Sequence, residues 1–263
     1  MRNIRLTQMA AFGAVAAMTV AACGSDSAPA AEEAPVATES VAAEAEEVAS
    51  VDLASVCPET ITIQTDWFPE AEHGALYQMI DSANATIDAD VKTVTGPLVA
   101  GGQATGVNLQ VRTGGPAVGF QQVVSLMTQD EAITFGYVAT DEAIENYADN
   151  PTTAFVAPLE INPQIIMWDP ATYPGVETIA DLKAEGVTIR YFETGAYMQF
   201  LLSDGQVEES QLDGSYDGGP SVFIAEGGKI AQQGFASAEP YNYENVFADW
   251  GKPVKFELIH DAG

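Results

Sequence analysis

The chain has 263 residues, room for one or two domains, and 47% of them are apolar, enough for a packed core. Its 9 Lys and Arg face 38 Asp and Glu, a net charge of −29. That balance argues against a nucleic-acid-binding face, which needs a basic stripe to displace counterions, and disfavours charge-driven docking on anionic lipid.

Residues 1–22 read as an export signal. Arg2 and Arg5 form a short positive start, and Leu6–Ala22 carries no charge and ends in small residues. Val20-Ala21-Ala22-Cys23 resembles the bacterial lipobox, in which the Cys sulfur takes a diacylglycerol and becomes the new N-terminus. This implies an extracytoplasmic protein held on the cell membrane through a lipid at Cys23; a plain secretory signal with an incidental Cys is the alternative. Cleavage would remove both arginines and deepen the charge to −31. Residues 23–57 read as an acidic Ala/Glu-rich tether without an aromatic residue, Lys or Arg. A flexible stretch of this length spans about 30 Å, although 39–49 also suits a transient helix. With Cys23 lipidated, Cys57 is either a free thiol or pairs with a cysteine this chain lacks.

From Pro58 onward strands and helices alternate. Ile61–Thr65 is β-rich, and His73–Ala83 carries apolar residues at helical spacing. Val107–Val111 reads as the second strand. The Gly114-Gly115-Pro116 turn opens a helix with Val118, Val123, Val124 and Met127 on its apolar face. Ala132–Val138 reads as a strand, followed by Thr140 as N-cap with Asp141 and Glu142 in the first turn. Thr153–Ala157 and Gln164–Trp168 are two further strands. Thr178 and Asp181 form a capping-box pattern, and Gly186 stops that helix. Val187–Phe192 is a strand running into a helix over 195–202, and Val254–Ile259 is the last strand. The alternation predicts an α/β fold of mainly parallel sheets flanked by helices, with the ligand outside the carboxyl ends of the strands.

Several chemistries lack their motifs. There is no P-loop, no dinucleotide-binding G-x-G-x-x-G and no G-x-S-x-G elbow. Two distant histidines and one spare Cys make no zinc set. Asp213-Gly214-Ser215-Tyr216-Asp217-Gly218 starts like a calcium loop, but Ile224 stands where the bidentate Glu belongs, so a solvated acidic turn fits better. No metal, cofactor or catalytic group is expected.

Thr65-Asp66-Trp67-Phe68-Pro69-Glu70-Ala71-Glu72-His73-Gly74 resembles the first-strand motif of the NMT1/THI5-like extracytoplasmic solute-binding proteins. Gly114-Gly115-Pro116 before a helix, Ile133–Tyr137, and Gln232–Pro240 with its Ser-x-Glu-Pro ending are also similar to that group. The resemblance implies a two-lobed type II periplasmic-binding-protein fold with a ligand cleft between the lobes. It divides the chain into lobe I at 58–157, lobe II at 158–251 and a return crossover strand at 252–263, with the remainder of lobe I missing; a natural short variant whose last strand closes lobe II is the alternative. It implies a receptor, not an enzyme: the enzymatic pyrimidine-synthase branch needs a cysteine-rich motif and a cofactor lysine. The implied partners are a small-molecule ligand and the permease and ATPase subunits of an ABC importer, with the receptor a monomer.

The implied ligand-binding residues are Asp66, Trp67, His73, Thr113, Gly114, Tyr137, Asp141, Glu193, Thr194, Tyr197 and Glu239. Trp67 and Glu193 are expected to face each other across the cleft. The expected mouth is aromatic and acidic, with Arg112 the one basic residue near a strand end. That favours a planar, nitrogen-rich ligand, a thiamine-pyrimidine precursor or a riboflavin-like ring. A nitrate or alkanesulfonate receptor of the same fold, or a lipid-anchored ligand sensor, is the alternative.

Overall fold

A computed structural model describes residues 51–263. The expected leader at 1–22, Cys23 and the expected tether as far as residue 50 lie outside the described residues.

In chain order the first half runs β1 (Thr60–Gln64), α1 (Gly74–Gln78), β2 (Thr86–Asp88), β3 (Thr93–Ala100), β4 (Gln103–Arg112), α2 (Val123–Gln129), β5 (Phe135–Gly136) and α3 (Thr140–Glu145). The second half runs β6 (Gln164–Trp168), α4 (Ile179–Ala184), β7 (Ile189–Arg190), α5 (Tyr197–Ser203), β8 (Leu212–Asp213), α6 (Ser221–Ala225), β9 (Ala231–Phe235), α7 (Glu239–Asn245) and β10 (Lys255–Leu258). The strands form two sheets, ordered β2-β3-β4-β1-β5 and β10-β6-β9-β7-β8. The trios β4-β1-β5 and β8-β7-β9 are each parallel with the earliest strand in the middle. The other pairings are antiparallel. The fold is therefore α/β with two mixed sheets flanked by helices, not mainly parallel ones.

Antiparallel pairing has local causes. A two-residue turn at Gly101 and Gly102, both left-handed (φ 56° and 77°), folds β3 back onto β4. In the second sheet β6 is buried along its whole length, as two-sided cover requires. Ile166 and Trp168 pack with Ile179, Leu182, Met198 and Leu201 on one face. Ile165 and Met167 pack with Phe223, Tyr243 and Val254 in a separate cluster. In the first sheet β4 alternates, sending Val107, Leu109 and Val111 into a core with Ile61, Leu76 and Ile80. Each such buried side chain contributes about 1.5–3 kcal/mol. Cys57 is half-buried against this core and has no disulfide partner among the described residues.

The α4 capping box forms as expected: the Thr178 hydroxyl accepts the Asp181 N–H at 3.3 Å, and the Asp181 carboxylate accepts the Thr178 N–H at 3.0 Å. Gly186 follows with φ 65°. Other expectations are corrected. The helix expected over 73–83 ends at Gln78, because Ile80 bridges to Leu98 and the Asp81 carboxylate accepts the Ala83 N–H in a turn. The helix expected after Pro116 is broken by left-handed Gly119 and Phe120. Thr140 is the first residue of α3, and Ala139 is its N-cap. Thr153–Ala157 forms no ladder and exposes Phe155 and Val156. The assignment of 252–263 to a return toward lobe I is also overturned: β10 pairs antiparallel with β6, Lys255 opposite Trp168, within the second sheet. Ile259 and Ala262 then pack on the core of that same sheet.

Candidate functional site

The two sheets converge on one cavity at the carboxyl ends of β1, β5, β7 and β9. Its empty space is about 900 Å³, part of it open to solvent. The first half contributes Asp66 and Trp67 after β1, Phe120 from the break before α2, and Asp141 and Glu142 from α3. The second half contributes Phe192, Thr194 and Tyr197 after β7, Tyr216, Gln164, Gln233 and Glu239.

Trp67 sits on a short turn that its neighbours hold from below. The Thr65 hydroxyl donates to the Trp67 carbonyl at 2.9 Å, and the Gly114 N–H donates to the same carbonyl at 3.2 Å. Gly114 has no room for a side chain, since a Cβ there would meet the Thr65 carbonyl oxygen at 2.1 Å. Gly115 packs on the indole itself: a Cβ would lie 2.7 Å from the ring. The far side of the cluster belongs to the second half. Tyr216 lies nearly parallel to Trp67 (11°, centroids 6.2 Å apart), and Phe192 is tilted against it at 5.6 Å. Phe120 closes the group, 5.9 Å from Trp67 and 6.4 Å from Phe192. Its φ of 60° is a costly backbone conformation for a bulky residue, and it occurs where the ring lines the cavity.

The polar frame is hydrogen-bonded. His73 is buried; its Nδ1 accepts the Glu70 N–H, which leaves Nε2 to donate to Asp66 at 2.9 Å. His73 thus orients an acid of the cavity without lining it. The Gln233 side-chain amide oxygen accepts both the Phe192 N–H at 2.7 Å and the Tyr197 hydroxyl at 2.6 Å, fixing the loop after β7. Glu239 accepts the Phe235 N–H, and Glu142 accepts the Val124 N–H at the start of α2. Ser237 bonds Glu72 across the two halves.

The acids here are crowded by apolar surroundings and by each other. Burial, then the nearby Glu239, Glu72 and Asp66, push Glu70 up to about 9. Burial raises Glu142 to about 7 and also raises Glu239. Among the described residues no Lys or Arg lines the cavity. Arg190 stands behind Tyr216, 5.6 Å from its ring centroid, donates to the Ser215 carbonyl and lies beside Asp213 and Asp217 of the calcium-like turn. Arg112 pairs with Asp130 at 2.7 Å. Among the described residues no group of His, Cys, Asp and Glu is arranged to hold a metal ion.

Of the residues expected from sequence, Asp66, Trp67, Asp141, Thr194, Tyr197 and Glu239 line this one cavity. His73 and Tyr137 form a layer behind Asp66, their rings 5.1 Å apart. Thr113 and Gly114 lie outside the lining; Gly114 supports the Trp67 turn, and the Thr113 N–H is spent on the Lys92 carbonyl. Glu193 is exposed and lines a neighbouring outer pocket with Glu145 and Gln199, so Phe192 and Tyr216 stand opposite Trp67 in its place. Phe120, Phe192, Tyr216, Glu142, Gln164 and Gln233 are additional lining residues that sequence reasoning passed over. The available signals were the Gly119-Phe120 pair after a turn, and glutamines at strand positions, Gln164 opening an apolar run and Gln233 before Gly234 and Phe235. No protein-family model matches the chain, and no curated protein matches it in sequence.

Proposed function

We propose that this chain is an extracytoplasmic solute-binding lipoprotein of an ABC importer, with a type II periplasmic-binding fold of the NMT1/THI5-like group. It captures a small nitrogen-rich aromatic ligand and hands it to a permease. One observation carries the reading: two sheets with equivalent parallel trios point their carboxyl ends at a single cavity, lined by aromatic and polar groups from both. Ligand contacts to both lobes would bias a closed state that a permease can read. The proposed lipid at Cys23 and the tether keep the receptor at high effective concentration near its importer. An anion such as nitrate or a sulfonate suits the lining less well, because Arg112 and Arg190 are both engaged elsewhere.

A thermal-shift screen of pyrimidines, flavins, sulfonates and nitrate tests this function. A specific ligand at a hundred times its Kd adds about 2.7 kcal/mol of stability. Stabilisation by a heterocycle supports the reading, and no stabilisation by any of the four classes contradicts it.

A further inference from the structure

Resting on the receptor reading above, we propose that the cavity selects a small organic cation, a ligand whose positive charge is spread over a flat or quaternary nitrogen group held against aromatic rings. Four of the rings that line the cavity stand together, two from each half: Trp67 and Phe120, Phe192 and Tyr216. Their centroids lie 5.6 to 6.4 Å apart, so they form one continuous aromatic wall. The face of such a ring carries negative potential and attracts a cation most strongly where water is excluded.

The second observation is the sign of the remaining lining. Asp66, Asp141, Glu142 and Glu239 share the cavity with the rings, and among the described residues no basic side chain joins them. Glu239 is only 9% exposed, and it is hydrogen-bonded by backbone N–H groups rather than by a cation. Glu142 likewise accepts only a backbone N–H. Buried carboxylates without a countercharge are costly. Their raised pKa values express that cost. A cationic ligand relieves it, a neutral ring leaves it in place, and an anion increases it. A metal ion is a poor occupant, because calcium wants six to eight oxygen ligands and most of this wall is ring carbon.

The test is calorimetric titration of the full chain at about pH 8 with two probe pairs that change charge, the first at constant shape and the second with one added methyl group. The first pair is choline and its neutral carbon isostere 3,3-dimethylbutan-1-ol. The second is 4-amino-2-methylpyrimidine and its N-methylated pyrimidinium. In at least one pair the cation is expected to bind about tenfold or more tightly than its neutral partner. The pair that responds tells an alkylammonium from a heteroaromatic source. Glu142→Gln and Glu239→Gln, which keep an oxygen for the backbone N–H, are expected to shrink that preference. Equal binding of both members of a responding pair overturns the cation inference and leaves the receptor reading standing. Binding of nitrate or an alkanesulfonate in place of either pair overturns the inference in favour of an anion receptor. Binding of no probe overturns the cation inference; the receptor reading falls with it only if the thermal-shift screen also finds no ligand.

Discussion

Gly115 shows how a single backbone position sets the site. Its φ of 58° is left-handed, and the space its Cβ would need is filled by the Trp67 ring. Gly115→Ala should therefore push the indole out of place and strain the backbone, at a cost of about 1–3 kcal/mol. The expected readouts are a shifted Trp fluorescence spectrum and a lower Tm; an unchanged spectrum would show that the indole is not seated there. The crowded acids give a second residue-scale prediction. Glu70, Glu142 and Glu239 are raised above their ordinary value of 4.5, two of them to about 9 and about 7. Between the ordinary and the raised values the folded chain holds more protons than the unfolded one, so stability falls as pH climbs from about 5 to about 9. Asp130, held below 3.8 by the Ala132 N–H and Arg112, acts only at the acid end. Tm measured across that range should decline, and Glu70→Gln should flatten the slope; a Tm that rises with pH would contradict this. Asp66 and Trp67 were legible in sequence because they follow a clear β run. Phe120 and Tyr216 were not, because each sits in an irregular turn whose course depends on left-handed neighbours.

At the scale of elements, buried runs were easy to read and edges were not. Gln164–Trp168 declared itself by an unbroken apolar run, and α4 by its cap and its Gly stop. The strand β3 was hidden by Gly96 and Pro97 in its middle. The structure accommodates them because pairing with β2 covers only residues 93–95 and the β4 ladder slips between Pro97 and Val99. Thr153–Ala157 has the composition of a strand, but strand formation needs a partner, and the described residues offer it no ladder. Phe155 lies against the edge strand of the sheet, its ring 4.7 Å from that of Phe135. With 151–161 so exposed, limited proteolysis should cut there first. A first cut inside β4 or β6 would mean the local order is different.

At the scale of the molecule, α/β alternation was legible, whereas the mixture of strand directions was not. Direction depends on which strands become neighbours, and only β3–β4 carried a local signal for it. The placement of β10 makes the same point: its composition reads as a strand in either half, and pairing with β6 decided the outcome. The anchor is a prediction for the whole protein. Cys23→Ala should release the chain from the membrane fraction; retention after a high-salt wash would contradict lipid attachment. The proposed ligand binding by this chain depends above all on the aromatic wall. The direct measurement is calorimetric titration of the best probe into the native chain and into Trp67→Ala. The account predicts one site per chain and a loss of about 1–3 kcal/mol in the variant, about 5- to 150-fold in Kd, with the far-UV spectrum preserved. An affinity unchanged by removing the indole would contradict it.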